Sequence, residues 1–423
     1  MPVSRSLRER LYPLLPEIAA HFGTPFHLYD EAGIRRTGER LVRAFAAAGG
    51  LREYYAVKAL PNPRILGILR ELGFGFDCSS IAELRLARGT GACGEELMFT
   101  SNNTSAQEFD AALADGGCIL NLDDLSLVPK VPRMPLLVCF RYNPGPAREG
   151  NAIIGRPVEA KYGVPHEQLE EAFRAAIARG AGRFGLHTML ASNERDYRYM
   201  EQTIVMLLER LQALAAALAI RFEFINIGGG LGIPYRPDES PFDIEALGRK
   251  AAEHLARFAD RHGWRPALFM ESGRYVTGPH GVLVARAINH KHGYREYVGV
   301  DACMSALMRP GMYGAYHHID VVGKDDQAGR RPVDVVGSLC ENNDKFAIQR
   351  PLPPIAEGDL LVVHDTGAHG HAMGFNYNGR LRPQELLLTA DGRVERIRRA
   401  ETLEDHFATL QFAPQSWTPG RAL

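Results

Sequence analysis

A lysine closes a run of aromatic and apolar residues in "EYYAVKALPNP". Tyr54, Tyr55, Ala56 and Val57 suit a buried strand, and Lys58 stands at its mouth, with Pro61 and Pro63 beyond it to end regular structure. A lysine there either snorkels to solvent or presents an amine that can form an imine with a carbonyl cofactor. Other stretches could share that chemistry. In "FMESGRY", Glu271 follows an apolar run and precedes Arg274. The carboxylate either pairs with an arginine or holds a heteroaromatic nitrogen protonated, which turns a pyridine ring into an electron sink. "INIGGGLGIPY" places Gly228, Gly229 and Gly230 after a strand, where bare N–H groups can bind an anion or make a tight turn. Ile233 stands where a dinucleotide fingerprint needs glycine, so a small phosphate group is the better expectation.

His187 in "GLHTML" can stack on a ring or take an ordinary hydrogen bond. Cys340 and Glu341 in "GSLCENNDKF" can supply a proton and bind an ammonium, against the alternative of an inert buried thiol. His364, His369 and His371 lie on one glycine-rich stretch, but no carboxylate-rich motif accompanies them and no metal is expected.

These residues need strands to position them. Short apolar runs at 54–57, 74–78, 97–100, 118–122, 135–140, 184–187, 222–227 and 267–270 read as eight strands. Helical patterns at 81–88, 168–177, 193–217 and 244–262 fall between several of them. The alternation predicts a parallel sheet, and eight repeats predict a closed (β/α)8 barrel, with a doubly wound open sheet as the competing architecture. Chemistry in such a barrel sits at the C-terminal strand ends, which here carry Lys58, Asp77, Arg141, His187, the glycine run, Glu271 and Arg274.

After Pro279 the texture turns to alternating strands, with "ADG" as a hairpin turn. The expected division is a barrel over 34–279 and a mainly antiparallel β domain built from 1–33 and 280–423. The segment 26–29 is expected to pair with the C-terminal part.

Composition narrows the partners. The 423 residues carry 49 basic and 50 acidic side chains, a net charge of -1 without a basic block, so neither nucleic acid nor an anionic membrane is expected. The six cysteines are scattered without close pairs, which fits a reducing cytoplasm. The first residues are charged throughout and do not read as a secretory leader. The Ala/Leu-rich run near 206–220 is too polar to span a bilayer.

From about Thr24 to Leu388 the chain resembles the fold-type III pyridoxal 5′-phosphate (PLP)-dependent decarboxylases, and most closely the diaminopimelate decarboxylases. The resemblance rests on "YYAVKA", "FDCSSIAEL", "FRYNP", "GGGLGIPY", "ESGRY", "MRPGMYGAYH", "CENND" and "MGFNYNGRLRPQELL" in one order. It implies that Lys58 links PLP, that His187 stacks on its ring and that Glu271 pairs with its pyridine nitrogen. Gly229, Gly230, Gly273 and Arg274 would surround the phosphate, with Asp77 and His369 also at the cofactor. Arg309 and Tyr313, helped by Arg274, would hold the distal carboxylate of diaminopimelate, with Tyr377 at the substrate end. Cys340 and Glu341 would reach in from the partner of a head-to-tail homodimer, the thiol assisting protonation and the carboxylate binding the distal ammonium.

The implied reaction is meso-2,6-diaminopimelate to L-lysine and CO2, a step of lysine biosynthesis. Decarboxylation of D-lysine, D-ornithine or another basic amino acid, an amino-acid racemase and a non-catalytic homologue are the alternatives. The sequence departs from the pattern where "GAH" replaces "GAY" at His369, "ESGR" replaces "EPGR" and "HTMLASN" replaces "HIGSQ". These changes lie at the rim that reads the substrate and leave Lys58 and Glu271 in place.

Overall fold

Eight short strands, each too apolar on both faces to be left in water, close on one another as a ring. A computed structural model describes residues 4–150, 155–324 and 328–413. Around the ring, Ile119–Leu122 pairs with Leu97–Phe99, then Gly75–Cys78, Arg52–Ala56, Ala267–Met270, Phe224–Asn226, Arg183–His187 and Leu137–Asn143, which pairs back onto Ile119–Leu122. Every pairing is parallel. The open-sheet alternative is therefore excluded.

Seven inward side chains, Tyr54, Met98, Ile119, Leu137, Cys139, Phe224 and Phe269, pack together inside the ring. The Phe224 and Phe269 rings stack at 4.1 Å. Gly185 makes room for them, because a Cβ there would lie 2.1 Å from the Phe224 ring. Tyr54 fills the interior, Ala56 two residues on lines the cavity beyond it, and Lys58 lines that cavity from the turn after the strand.

The strand ends differ from the sequence reading by at most three residues, the largest shift being Leu137–Asn143 against 135–140. The first barrel strand stops at Ala56 because Val57–Ala59 winds into a 3-10 turn. Pro63 does not end regular structure. It opens the helix Pro63–Glu71, whose N-cap Asn62 accepts from the Arg64 N–H; proline at a helix start needs no N–H partner. The helix expected from 193 begins at Tyr197, where Asp196 caps it. The helix Ile244–His262 has the expected bounds.

The second sheet has nine strands and is mixed, mostly antiparallel. Phe26–Asp30 does pair with the C-terminal part, antiparallel to Gly281–His292 and parallel to Gln384–Leu388. The hairpin at "ADG" joins Gln384–Leu388 to Val394–Arg398. Leu7, Leu11 and Leu15 of the N-terminal helices pack on Phe26, Leu28 and Val282. No helix among the described residues is long and apolar enough to cross a membrane.

The stacked rings make the barrel interior a sensitive point. Phe224→Ala leaves a void that strands cannot collapse around, and should destabilise the fold by about 3–5 kcal/mol, read from the denaturant midpoint. A midpoint within error of the parent would contradict this packing.

Candidate active site

The strand ends converge on a cavity of about 600 Å³. Lys58, Asp77, His187, Gly229, Gly230, Glu271, Gly273, Arg274 and His369 all line it, and so does Arg141. Lys58 is exposed to the cavity, although the strand before it is buried.

Glu271 is 6% exposed, and its Oε1 accepts from Asn226 Nδ2 at 2.8 Å. His187 Nε2 lies 3.2 Å from the same oxygen. Burial by itself would raise this carboxyl, but His187, Lys58 and Arg141 outweigh it and hold Glu271 below the usual carboxylate range. Its neighbours go the other way. Burial and then the Glu271 charge push Asp77 up to about 8, against the pull of Lys58. Burial pushes Glu53 up to about 8 as well, with Glu271 adding to it and the Ser272 backbone N–H opposing. One carboxylate is charged and two buried carboxyls beside it are neutral at pH 7.

The glycine run comes close to backbone rather than side chains. A Cβ on Gly229 would meet the Glu271 carbonyl at 2.4 Å. Gly230 has a φ of +101°, and a Cβ there would lie 2.5 Å from the Ala191 carbonyl. On the far wall, Arg141 Nη1 reaches Asn102 Oδ1 at 3.3 Å and its guanidinium lies 4.0 Å over the Tyr162 ring.

A second cavity of about 370 Å³ adjoins the first and shares Ser192, Arg274 and His369 with it. Arg309, buried at 4% exposure, and Tyr313 line this outer chamber. Tyr235 links its two cations: the hydroxyl oxygen accepts from Arg274 Nη1 and Arg309 Nη1, each at 2.5 Å. Among the described residues neither arginine has a carboxylate within ion-pair distance. His369, with a φ of +55°, stands between the chambers. Burial, followed by Arg274, Arg309 and Lys58, keeps its imidazole neutral, well below the ordinary histidine value.

Three expected residues stand outside this chain's own cavities, two of them, Cys340 and Glu341, being those expected to serve the partner's site. Cys340, Glu341 and Tyr377 line neither cavity and are exposed on the surface of the same chain. The Cys340 thiol donates to the Tyr377 hydroxyl at 3.6 Å. The three histidines of the glycine-rich stretch also separate. His364 Nε2 lies 2.9 Å from Asp320 Oδ2, His371 Nε2 donates to the Pro383 carbonyl at 3.0 Å, and His369 faces the cavities.

Sequence reading missed Asn226, Tyr235 and Ser192. The first two sat inside "INIGGGLGIPY", where the glycines drew attention away from them. Ser192 shows that "HTMLASN" still delivers a serine to the site: its Oγ lies 3.5 Å from Arg274 Nη2.

Residues 32–278 match the family model for the pyridoxal-binding domain of pyridoxal-dependent decarboxylases. Protein TabA of Pseudomonas amygdali pv. tabaci is 49% identical over 98% of this chain and 97% of its own length. A diaminopimelate decarboxylase from Methanothermobacter thermautotrophicus is 35% identical over 92% of both chains. Among solved structures, the diaminopimelate decarboxylase of M. jannaschii in complex with L-lysine superposes with a TM-score of 0.86 at 28% identity, covering 94% of each chain. The chain belongs to the pyridoxal-dependent decarboxylases, and is a PLP-dependent carboxy-lyase of fold type III.

The site suits that cofactor. It offers an amine, an ionised buried carboxylate, a glycine cradle with no room for a side chain, and a His187 Nδ1 and an Arg141 Nε that are buried without a protein partner.

The paired carboxyls generate a pH test. An acid with a raised folded pKa holds a proton that the unfolded chain releases above about 4.5, so for Glu53 stability is lost as pH rises from about 4.5 to about 8. Glu53→Gln keeps an oxygen for the Ser272 N–H and does not titrate. Its stability relative to the parent should improve from pH 5 to pH 8, by roughly 1–3 kcal/mol at the upper end. Urea midpoints that track each other across that range would refute it.

Proposed function

We propose that the protein decarboxylates meso-2,6-diaminopimelate to L-lysine, in lysine synthesis in the cytoplasm. The observation that carries this reading is the pair Arg274 and Arg309, buried or half-buried around one hydroxyl with no carboxylate partner among the described residues. A substrate without a distal carboxylate leaves Arg309 uncompensated, at a cost of roughly a few kcal/mol. The diaminopimelate decarboxylase of Methanothermobacter thermautotrophicus and the L-lysine complex of the M. jannaschii enzyme support this direction, whereas the more similar Protein TabA does not bear on it.

The residues take these roles. Lys58, Asp77, His187, Gly229, Gly230, Glu271, Gly273, Arg274 and His369 would hold PLP. When bound, PLP supplies an electron sink for the carbon that loses CO2. Lys58 would hold the cofactor through its amine. Glu271 stays anionic, and so would keep protonated a ring nitrogen bound beside it. Asp77 and Glu53 remain neutral, and their protonation spares the site two further buried charges. Arg309 and Tyr313, with Arg274, orient the distal carboxylate. His369 and Ser192 mark the boundary between the reacting and distal ends of the substrate.

Cys340, Glu341 and Tyr377 enter this reading through a head-to-tail homodimer. They lie exposed on a surface that also carries Met312, Tyr313 and Ile348, large apolar side chains that are more than half exposed. A second copy seated there would receive Cys340 as the proton donor to the substrate carbon, Glu341 at the distal ammonium and Tyr377 beside them. The division into a barrel at 34–279 and a β domain from the remainder belongs to the same reading, with the β domain serving the neighbouring site. Decarboxylation of D-lysine or D-ornithine is the second reading. It is favoured by His369, whose neutral ring replaces the expected tyrosine at the substrate wall.

Two measurements test this. In a panel of meso-diaminopimelate, D-lysine, D-ornithine, L-lysine and L-ornithine, kcat/KM should favour diaminopimelate by roughly 100-fold or more, and Arg309→Ala should abolish most of that preference. A higher kcat/KM for a D-diamine would overturn the substrate. For the shared site, inactive Lys58→Ala and Cys340→Ala chains should recover part of the activity when mixed. Mixtures as inactive as their parents would count against a shared site.

A further inference from the structure

Among the described residues Arg309 is held in an unusual way for a buried cation, by neutral acceptors alone. Its Nη1 donates one hydrogen to the Tyr235 hydroxyl at 2.5 Å and the other to His317 Nε2 at 3.3 Å. His317 is fully buried, and its Nδ1 lies 2.7 Å from the His364 carbonyl oxygen. A carbonyl only accepts, so Nδ1 carries the hydrogen, and Nε2 is left with a lone pair facing the guanidinium. The ring is thus set in one tautomer by backbone. Arg350 Nη1 ties the His317 carbonyl from the other side at 2.9 Å. The Tyr235 ring meets the His317 ring edge-on at 5.1 Å and lies 4.7 Å under the Arg309 guanidinium.

We propose that His317, with Tyr235, is a specificity-positioning residue that fixes the plane of Arg309 without neutralising it, so that the full charge and the free Nε and Nη2 edge are left for a substrate carboxylate. This rests on the reading that Arg309 binds the distal carboxylate. A carboxylate in the place of His317 would orient the arginine equally well but would compete with the ligand. A cationic imidazole would repel the guanidinium. Burial first, and then the Arg309 charge, push the His317 imidazole down to about 3, so the ring stays neutral through the working range.

The test compares two ligands that differ by one carboxylate, L-lysine and cadaverine, bound to the holoenzyme and measured by calorimetry. The parent should bind L-lysine at least about tenfold more tightly. His317→Leu removes both the acceptor and the link to the His364 carbonyl. It should shrink the L-lysine to cadaverine ratio roughly 10- to 100-fold while leaving cadaverine within about twofold. His317→Gln, which can donate and accept at once, should restore most of the ratio. If the leucine variant does not fold, Tyr235→Phe removes the second neutral acceptor and should also lower the ratio.

Equal losses for both ligands, or an unchanged ratio in the folded variants, would overturn the proposal. If the parent does not favour L-lysine over cadaverine, Arg309 reads no carboxylate, and both the substrate reading and this proposal fall. If the ratio behaves as expected but diaminopimelate is not turned over, only the substrate reading falls.

Discussion

Glu271 must stay ionised in a place where burial by itself would neutralise it. The rest of the site follows from that demand. His187 and Asn226 both approach its Oε1, from two neighbouring strands, and each is fixed by strand register: His187 lies opposite Asn226, and Asn226 opposite Phe269, two residues before Glu271. Asn226 also accepts from the Gly228 N–H at 2.8 Å, which starts the glycine cradle. The charge on Glu271 in turn helps to keep Asp77 and Glu53 protonated. A closed parallel barrel supplies the register for all of this, since its strand ends meet at one mouth.

The second sheet completes the mouth by clamping the turn that carries Lys58. The His369 N–H donates to the Ala59 carbonyl at 2.8 Å, Arg398 Nη2 to the Pro61 carbonyl at 3.1 Å, and Asn62 Nδ2 to Glu385 Oε2 at 3.2 Å. Tyr29 donates to the other oxygen of Glu385 at 2.6 Å. The early strand Phe26–Asp30 therefore has a reason to lie between Gly281–His292 and Gln384–Leu388: it carries Tyr29 to the clamp. The lysine is positioned by both halves of the chain, and His369 serves as clamp through its backbone and as cavity wall through its ring.

Much of this was legible in the sequence. The eight strands could be read because buried parallel strands are continuous apolar runs, and their ends then pointed to Lys58, Asp77, His187 and Glu271. What failed had local causes. Pro63 was read as a breaker because its place at a helix start depends on Asn62 capping the turn. Tyr235 and His317 could not be singled out, since their role lies in which atoms they face across 74 and 8 residues of chain from Arg309. Cys340 and Glu341 stood out by type, and their exposed place away from their own chain's cavity is compatible with the expectation that they serve a partner's site.

The central claim is that the amine of Lys58 is the one presented to the cofactor at this mouth. The most direct measurement is to load the protein with PLP, reduce it with borohydride and locate the modified lysine by peptide mass spectrometry. The account predicts the pyridoxyl group on Lys58, with Lys58→Ala unlabelled and still folded. Labelling at another lysine in the parent, or no labelling despite bound cofactor, would contradict it.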